Sequence, residues 1–131
     1  MAEVSHDELI KQLRGVQYIV INRVYGGFSL SREGTLLYLE LAGIAYDLLP
    51  QADRDTQTRL GDRIVVNGVD FESRNIARDD PALVAVVRRL GSKADGDYAT
   101  LKVVEVPAGV VWTVDDYDGR EWVAEVHRTW R

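Results

Sequence analysis

The stretch "VQYIVINRVYGGFSLS", residues 16–31, carries the strongest strand and turn signals of this chain. Its first ten residues are rich in β-branched and aromatic side chains, which favour a strand. Apolar side chains occur on both faces of that strand, as is typical of a strand buried on both sides. We therefore predict a central strand over this segment.

The glycine pair Gly26-Gly27 follows the strand and admits two interpretations. It can be a tight turn that needs positive φ, after which Ser29 or Ser31 caps a helix that runs to about Leu41. It can also be a cradle for an anion, because glycine lets the backbone approach a ligand and the start of a helix favours negative charge. No phosphate-binding glycine motif surrounds the pair, so both interpretations stay open.

The remaining elements follow from hydrophobic periodicity, helix caps and turn residues. The segment after residue 119 reads as the second arm of a hairpin or, alternatively, as a terminal helix over 120–130. Together the elements predict a single α+β domain over 1–131, with a mixed, mainly antiparallel sheet and two or three helices packed on one face. The predicted elements are a helical extension over 1–15, a polar loop over 47–62, a hairpin around Asn67-Gly68, a helix over 80–90 that starts at Asp80, a strand over 98–107 and a hairpin around Asp118-Gly119.

Composition narrows the classes of partner. The chain has 16 Lys and Arg against 21 Asp and Glu, a net charge of −5, and its basic residues are scattered. A nucleic-acid polymer is therefore not an expected partner. The chain has no cysteine, and no apolar run is long enough to cross a membrane. We expect a cytoplasmic protein with no membrane partner, and the sequence leaves a homo-oligomer open.

The chain ends in "EVHRTWR", residues 125–131, where several chemically active side chains lie close together. His127 is of a residue type that can change charge near neutral pH, Arg128 can fork onto a phosphate or carboxylate, and Trp130 can stack on a base. The alternative is a packed tryptophan with a solvated charged rim. No nucleophile motif or metal-ligand set is present, so we predict no catalytic residue, no metal and no cofactor.

Four stretches resemble a family of short uncharacterised proteins of tailed phages and large DNA viruses. That family starts with N-R-x-[YF]-G-G-F-x-L-S and ends with H-R-T-W, and the resemblance covers roughly residues 18–46 and 76–130. It implies a phage accessory protein made in the host bacterial cytoplasm. The stretches are "INRVYGGFSLS", "RDDPALVAVVRRLG", "LKVVEVPAGVVWTV" and "YDGREWVAEVHRTW".

We expect a non-enzymatic binder of a small anionic, nucleotide-like ligand that acts in counter-defence by sequestration. The glycines and serines would supply backbone and hydroxyl contacts, His127 and Arg128 would supply charge, and Trp130 or Tyr25 would stack. One alternative is an interaction module that binds a host protein through an exposed aromatic patch with an acidic rim, and a weaker one is a small hydrolase. The expected ligand-binding residues are Tyr25, Gly26, Gly27, Ser29, Ser31, His127, Arg128 and Trp130.

Overall fold

The structure, a computed structural model, describes residues 15–50 and 62–126. Two α-helices and seven strands lie in this part of the chain, with short 3-10 helices at Ser73–Asn75 and Gly91–Ala94. The helices are α1 (Arg32–Ala42) and α2 (Pro81–Leu90). The strands are β1 (Val16–Asn22), β2 (Asp47–Leu49), β3 (Arg63–Val66), β4 (Val69–Asp70), β5 (Leu101–Pro107), β6 (Trp112–Tyr117) and β7 (Arg120–Glu125).

Strand β1 runs through the middle of the hydrophobic core. It pairs with β5 in antiparallel register, from Val16 opposite Pro107 to Asn22 opposite Leu101. Because side chains alternate along a strand, Val20 packs with the helices while Ile19 packs with the β6–β7 hairpin. The prediction of a strand buried on both faces is confirmed.

Both helices pack on the Val20 face of β1, as the sequence predicts. Helix α1 begins at its cap Ser31, whose side chain accepts a hydrogen bond from the backbone N–H of Gly34, and ends at Gly43. Helix α2 begins at Asp80-Pro81, and its residue Leu83 is fully buried. Capping residues and hydrophobic periodicity thus fix the two helices locally.

The strands form three small antiparallel sheets, which confirms an α+β fold that is mainly antiparallel. The prediction of a loop over 47–62 is wrong at its start, because Asp47–Leu49 form β2 on the edge of β3. Strand β2 is exposed along its length and has no periodic signal of its own. Residues 51–61 lie outside the described part of the chain.

The hairpin interpretation of the C-terminal region is confirmed for the residues that the structure describes. Strands β6 and β7 pair antiparallel from Trp112 opposite Glu125 to Tyr117 opposite Arg120, with Asp118-Gly119 at the tip. A helix over 120–130 is therefore wrong for β7. The described ranges do not include residues 127–131. They also leave out the helical extension predicted over 1–15, except for Gly15. Neither described helix is long and apolar enough to span a membrane.

One carboxylate joins the two helices. Asp80 accepts the backbone N–H of Ala82 at 2.9 Å and the Tyr38 hydroxyl of α1 at 2.7 Å. Burial, the hydrogen bond to Asp80 and its negative charge together raise the pKa of Tyr38 to about 12. All three effects disfavour the phenolate, so ionisation of Tyr38 destabilises the fold.

This raised pKa predicts an alkaline loss of stability. The unfolded tyrosine ionises near pH 10 and the folded one near pH 12, so the stabilisation is complete below about pH 10. It falls by about 2 kcal/mol as the pH rises to about 12. Urea unfolding at these two pH values should show this extra loss in the parent protein and not in Tyr38→Phe. Equal losses in both proteins would contradict the assignment.

Candidate functional site

The Gly26-Gly27 turn is covered by the tip of the β6–β7 hairpin. Both glycines have positive φ, 121° and 98°. Gly26 donates its backbone N–H to the Asp118 carbonyl at 3.3 Å. A Cβ placed on Gly119 would lie 2.3 Å from the Gly27 nitrogen, so the two backbones touch. The missing Cβ of Gly119 is what permits this approach, whereas a Cβ on Gly26 would meet Tyr98 and one on Gly27 would meet nothing within 4 Å.

The two serines after the turn hold the loop that follows α2. Besides capping α1, the Ser31 hydroxyl donates to the Lys93 carbonyl at 2.5 Å. The Ser29 carbonyl accepts the backbone N–H of Gly96 at 2.9 Å. A Cβ on Gly96 would overlap the Ser29 hydroxyl oxygen, so that oxygen lies directly against the loop. Each serine therefore has a contact within the fold.

The C-terminal tail starts at the other end of the hairpin. Strand β7 runs from Arg120, beside the glycine turn, to Glu125, and five strand steps span about 17 Å. His127, Arg128 and Trp130 lie outside the described residues. A site shared by the glycine turn and these tail residues stays a prediction.

A buried polar network closes the edge of β1 that β5 leaves free. Asn22 is fully buried, and its backbone N–H donates to Glu121 Oε1 at 2.7 Å. The Asn22 side-chain amide donates to the carbonyls of Val24 at 2.6 Å and Gly119 at 2.8 Å. Asn22 Oδ1 accepts the backbone N–H of Thr100 at 2.9 Å. The side chain therefore ties three chain segments together.

Arg78 and Glu121 complete this network as a two-point ion pair. Arg78 Nη1 and Nη2 lie 2.5 Å and 2.8 Å from Glu121 Oε1 and Oε2. The backbone carbonyl of Arg78 accepts the N–H of Val20 at 2.8 Å, and its guanidinium lies 3.7 Å from the Phe28 ring centroid. Sequence reasoning missed this network. Its one local signal is a polar Asn22 at the end of an apolar strand.

Among the concave surfaces that the described residues line, one is mainly apolar: a groove of about 600 Å³ between the start of β1 and α2. The lining residues from α2 recur every three or four residues, so they lie on one face of the helix, and those from β1 are three consecutive residues. We call this surface the β1–α2 groove. Its lining residues are Val16, Gln17, Tyr18, Asp79, Pro81, Val84, Ala85, Arg88 and Arg89.

The charges of the β1–α2 groove are separated along α2. Asp79 lies at the start of the helix, and Arg88 and Arg89 lie in its last turn. The Arg88 guanidinium stands 4.3 Å from the centroid of the Tyr18 ring. Neither arginine forms an ion pair with another residue in the described ranges. One end of the groove is therefore cationic.

The amide of Gln17 contributes no free polar group to the groove. Its Nε2 donates to the carbonyls of Pro107 at 3.1 Å and Val110 at 3.0 Å. Its Oε1 accepts the indole N–H of Trp112 at 3.1 Å. Polar recognition in the groove therefore falls to its charged residues.

A second concave surface lies between α1 and β3 but is polar, and its cations have partners. Arg63 pairs with Asp70 at 2.8 Å, and Arg32 donates to the Asp62 carbonyl at 2.6 Å. Among the residues that the structure describes, no group of three or more His, Cys, Asp or Glu side chains could hold a metal ion. The β1–α2 groove is thus the candidate site with an apolar floor and unpaired cations.

Comparisons of the chain with protein-family models, with curated proteins and with solved structures give no match. The function must therefore be argued from the residues of the chain itself.

The contact between the hairpin tip and the glycine turn can be tested with a matched pair of substitutions. Gly119 and Gly109 both have φ of 87°, but a Cβ on Gly109 would meet nothing within 4 Å. We expect Gly109→Ala to cost about 1 kcal/mol of unfolding free energy through backbone strain alone. Gly119→Ala should cost at least about 2 kcal/mol more, because its Cβ strikes Gly27.

Urea unfolding of both variants gives the comparison. Equal losses for the two alanines would show that the hairpin tip does not press on the glycine turn.

Proposed function

We propose that this protein is a non-enzymatic binder of a small anionic ligand with a flat apolar body, such as a nucleotide. We propose further that the ligand occupies the β1–α2 groove. The observation that carries the proposal is an apolar floor that ends at Arg88 and Arg89, which lack ion-pair partners among the described residues. A pocket of several hundred Å³, mostly apolar with a few polar groups, is the usual form of a small-molecule site.

The groove suits the two halves of such a ligand. A planar base would lie against Pro81 and Val84. The face of the base and these apolar side chains would then both be removed from water, which favours binding. A phosphate would meet Arg88 and Arg89, whose planar guanidinium groups can each donate two parallel hydrogen bonds. Stacking on Tyr18 already restrains Arg88, which lowers the entropy cost of binding.

The direction of α2 sets a condition on this site. Arg88 and Arg89 lie at the carbonyl end of the helix, which carries roughly half a negative charge and repels an anion. Two full positive charges exceed that half charge. Binding should therefore depend steeply on both arginines, and it should weaken with added salt.

The resemblance to proteins of tailed phages supplies a biological role for such a binder. Phage proteins of this size without enzyme motifs often counter host defences, and some sequester nucleotide messengers. Under this proposal the protein acts in the host bacterial cytoplasm by holding a nucleotide-like signal. The role is an analogy of class and rests on the binding proposal.

Thermal denaturation with added adenosine monophosphate tests the proposal. Ligand at 100 times its dissociation constant should add about 2.7 kcal/mol to the unfolding free energy and raise the melting temperature by several degrees. Arg88→Ala and Arg89→Ala should each raise the dissociation constant about tenfold, because each removes a charge-assisted hydrogen bond. Arg74→Ala is the control, since it removes an exposed arginine outside the groove.

Adenosine and inorganic phosphate separate the two halves of the ligand. Both should bind more weakly than adenosine monophosphate. Equal binding of adenosine would contradict a role for the arginines. If no nucleotide raises the melting temperature, the proposal is wrong.

A further inference from the structure

Three exposed tyrosines gather at the end of the molecule where the hairpin tip meets the glycine turn. Tyr25, Tyr98 and Tyr117 are 57%, 75% and 71% exposed. They come from three segments that are far apart in sequence: the glycine turn, the loop after α2 and the hairpin. We call them the tyrosine patch.

Backbone contacts hold the tyrosine patch together. A Cβ on Gly26 would lie 2.7 Å from the Cβ of Tyr98, so the loop carrying Tyr98 touches the glycine turn. The rings of Tyr25 and Tyr117 meet edge to face, with centroids 6.5 Å apart and an angle of 75°. Asn22 joins the same segments through Val24, Thr100 and Gly119. The three segments that carry the tyrosines are therefore held together by the fold itself.

The charge around the tyrosine patch is mostly negative. The three segments that carry it, residues 23–27, 96–99 and 115–120, hold four aspartates and two arginines. Asp97, Asp116 and Asp118 are all exposed. Each of the three is next to a tyrosine of the patch in sequence. Exposed carboxylates on the same three segments as the rings complement a partner that carries cations.

We propose that the tyrosine patch docks an arginine-containing segment of a partner protein. A guanidinium can stack on a tyrosine face while it pairs with a neighbouring carboxylate, so one side chain uses both features of the surface. Tyrosine supplies a large contact area at a small entropy cost, and it is enriched at interfaces. This surface is separate from the β1–α2 groove, so the proposal does not depend on nucleotide binding.

Fluorescence anisotropy with a labelled peptide of alternating arginine and glycine, about eight residues long, tests the proposal. Matched lysine–glycine and glutamate–glycine peptides separate guanidinium stacking from charge. The arginine peptide should bind most tightly and the glutamate peptide should not bind. Tyr98→Ala and Tyr117→Ala should each weaken arginine-peptide binding about fivefold, as expected for the loss of one exposed cation–π contact.

Two controls make the result specific. Tyr46→Ala removes another exposed tyrosine, one that follows α1, and should leave binding unchanged. Tyr98→Phe keeps an aromatic ring and should retain binding. The proposal is overturned if the arginine peptide does not bind, if Tyr46→Ala weakens binding as much as Tyr98→Ala, or if only the aspartates matter. In the last case, Asp118→Asn would weaken binding of the arginine peptide, while Tyr98→Ala and Tyr117→Ala would both bind it as tightly as the parent protein does.

Discussion

The free edge of β1 is buried, and the need to satisfy its backbone N–H groups sets the position of the β6–β7 hairpin. On that edge, the buried backbone N–H of Asn22 donates to the Glu121 carboxylate. The buried N–H of Val20 donates to the Arg78 carbonyl, so neither group is left without an acceptor. The ion pair between Arg78 and Glu121 is largely buried, with side chains 17% and 9% exposed. Removing one partner from a buried ion pair typically costs about 3–5 kcal/mol. This requirement brings the β6–β7 hairpin across β1, and the hairpin tip then lands on Gly26-Gly27.

This arrangement separates the two candidate surfaces of the molecule. The β1–α2 groove is lined by Val16 to Tyr18 at the start of β1, whereas the tyrosine patch lies beyond Asn22 at its end. The six residue steps between these two ends of β1 span about 20 Å. The Gly26-Gly27 turn belongs to the tyrosine-patch end. Because the hairpin occupies the space over these glycines, an anion at the turn would compete with Asp118 for the Gly26 N–H. In the groove, Arg88 and Arg89 have no ion-pair partner among the described residues, so a small ligand there would meet no such competition.

Local signals in the sequence predicted much of the fold. Ser31 and Asp80-Pro81 fix helix starts through short-range hydrogen bonds, and Asp118-Gly119 fixes a hairpin tip, so each can be read from neighbouring residues. Features that depend on distant partners were missed. Strand β2 exists only because β3 pairs with it, and the Asn22–Glu121 hydrogen bond joins residues 99 positions apart. The groove was missed for the same reason, since Tyr18 and the outer stripe of α2 meet only in three dimensions.

We propose that the ligand binds in the β1–α2 groove and that the glycine turn only packs against the hairpin tip. The most direct test is to follow the backbone amide signals of the ¹⁵N-labelled protein by NMR as adenosine monophosphate is added. We expect the largest shifts at residues 16–18 and 85–89, and no change at Gly26, Gly27 and Gly119. Saturable shifts at those three glycines, with the groove residues unmoved, would contradict it and return the anion site to the glycine turn.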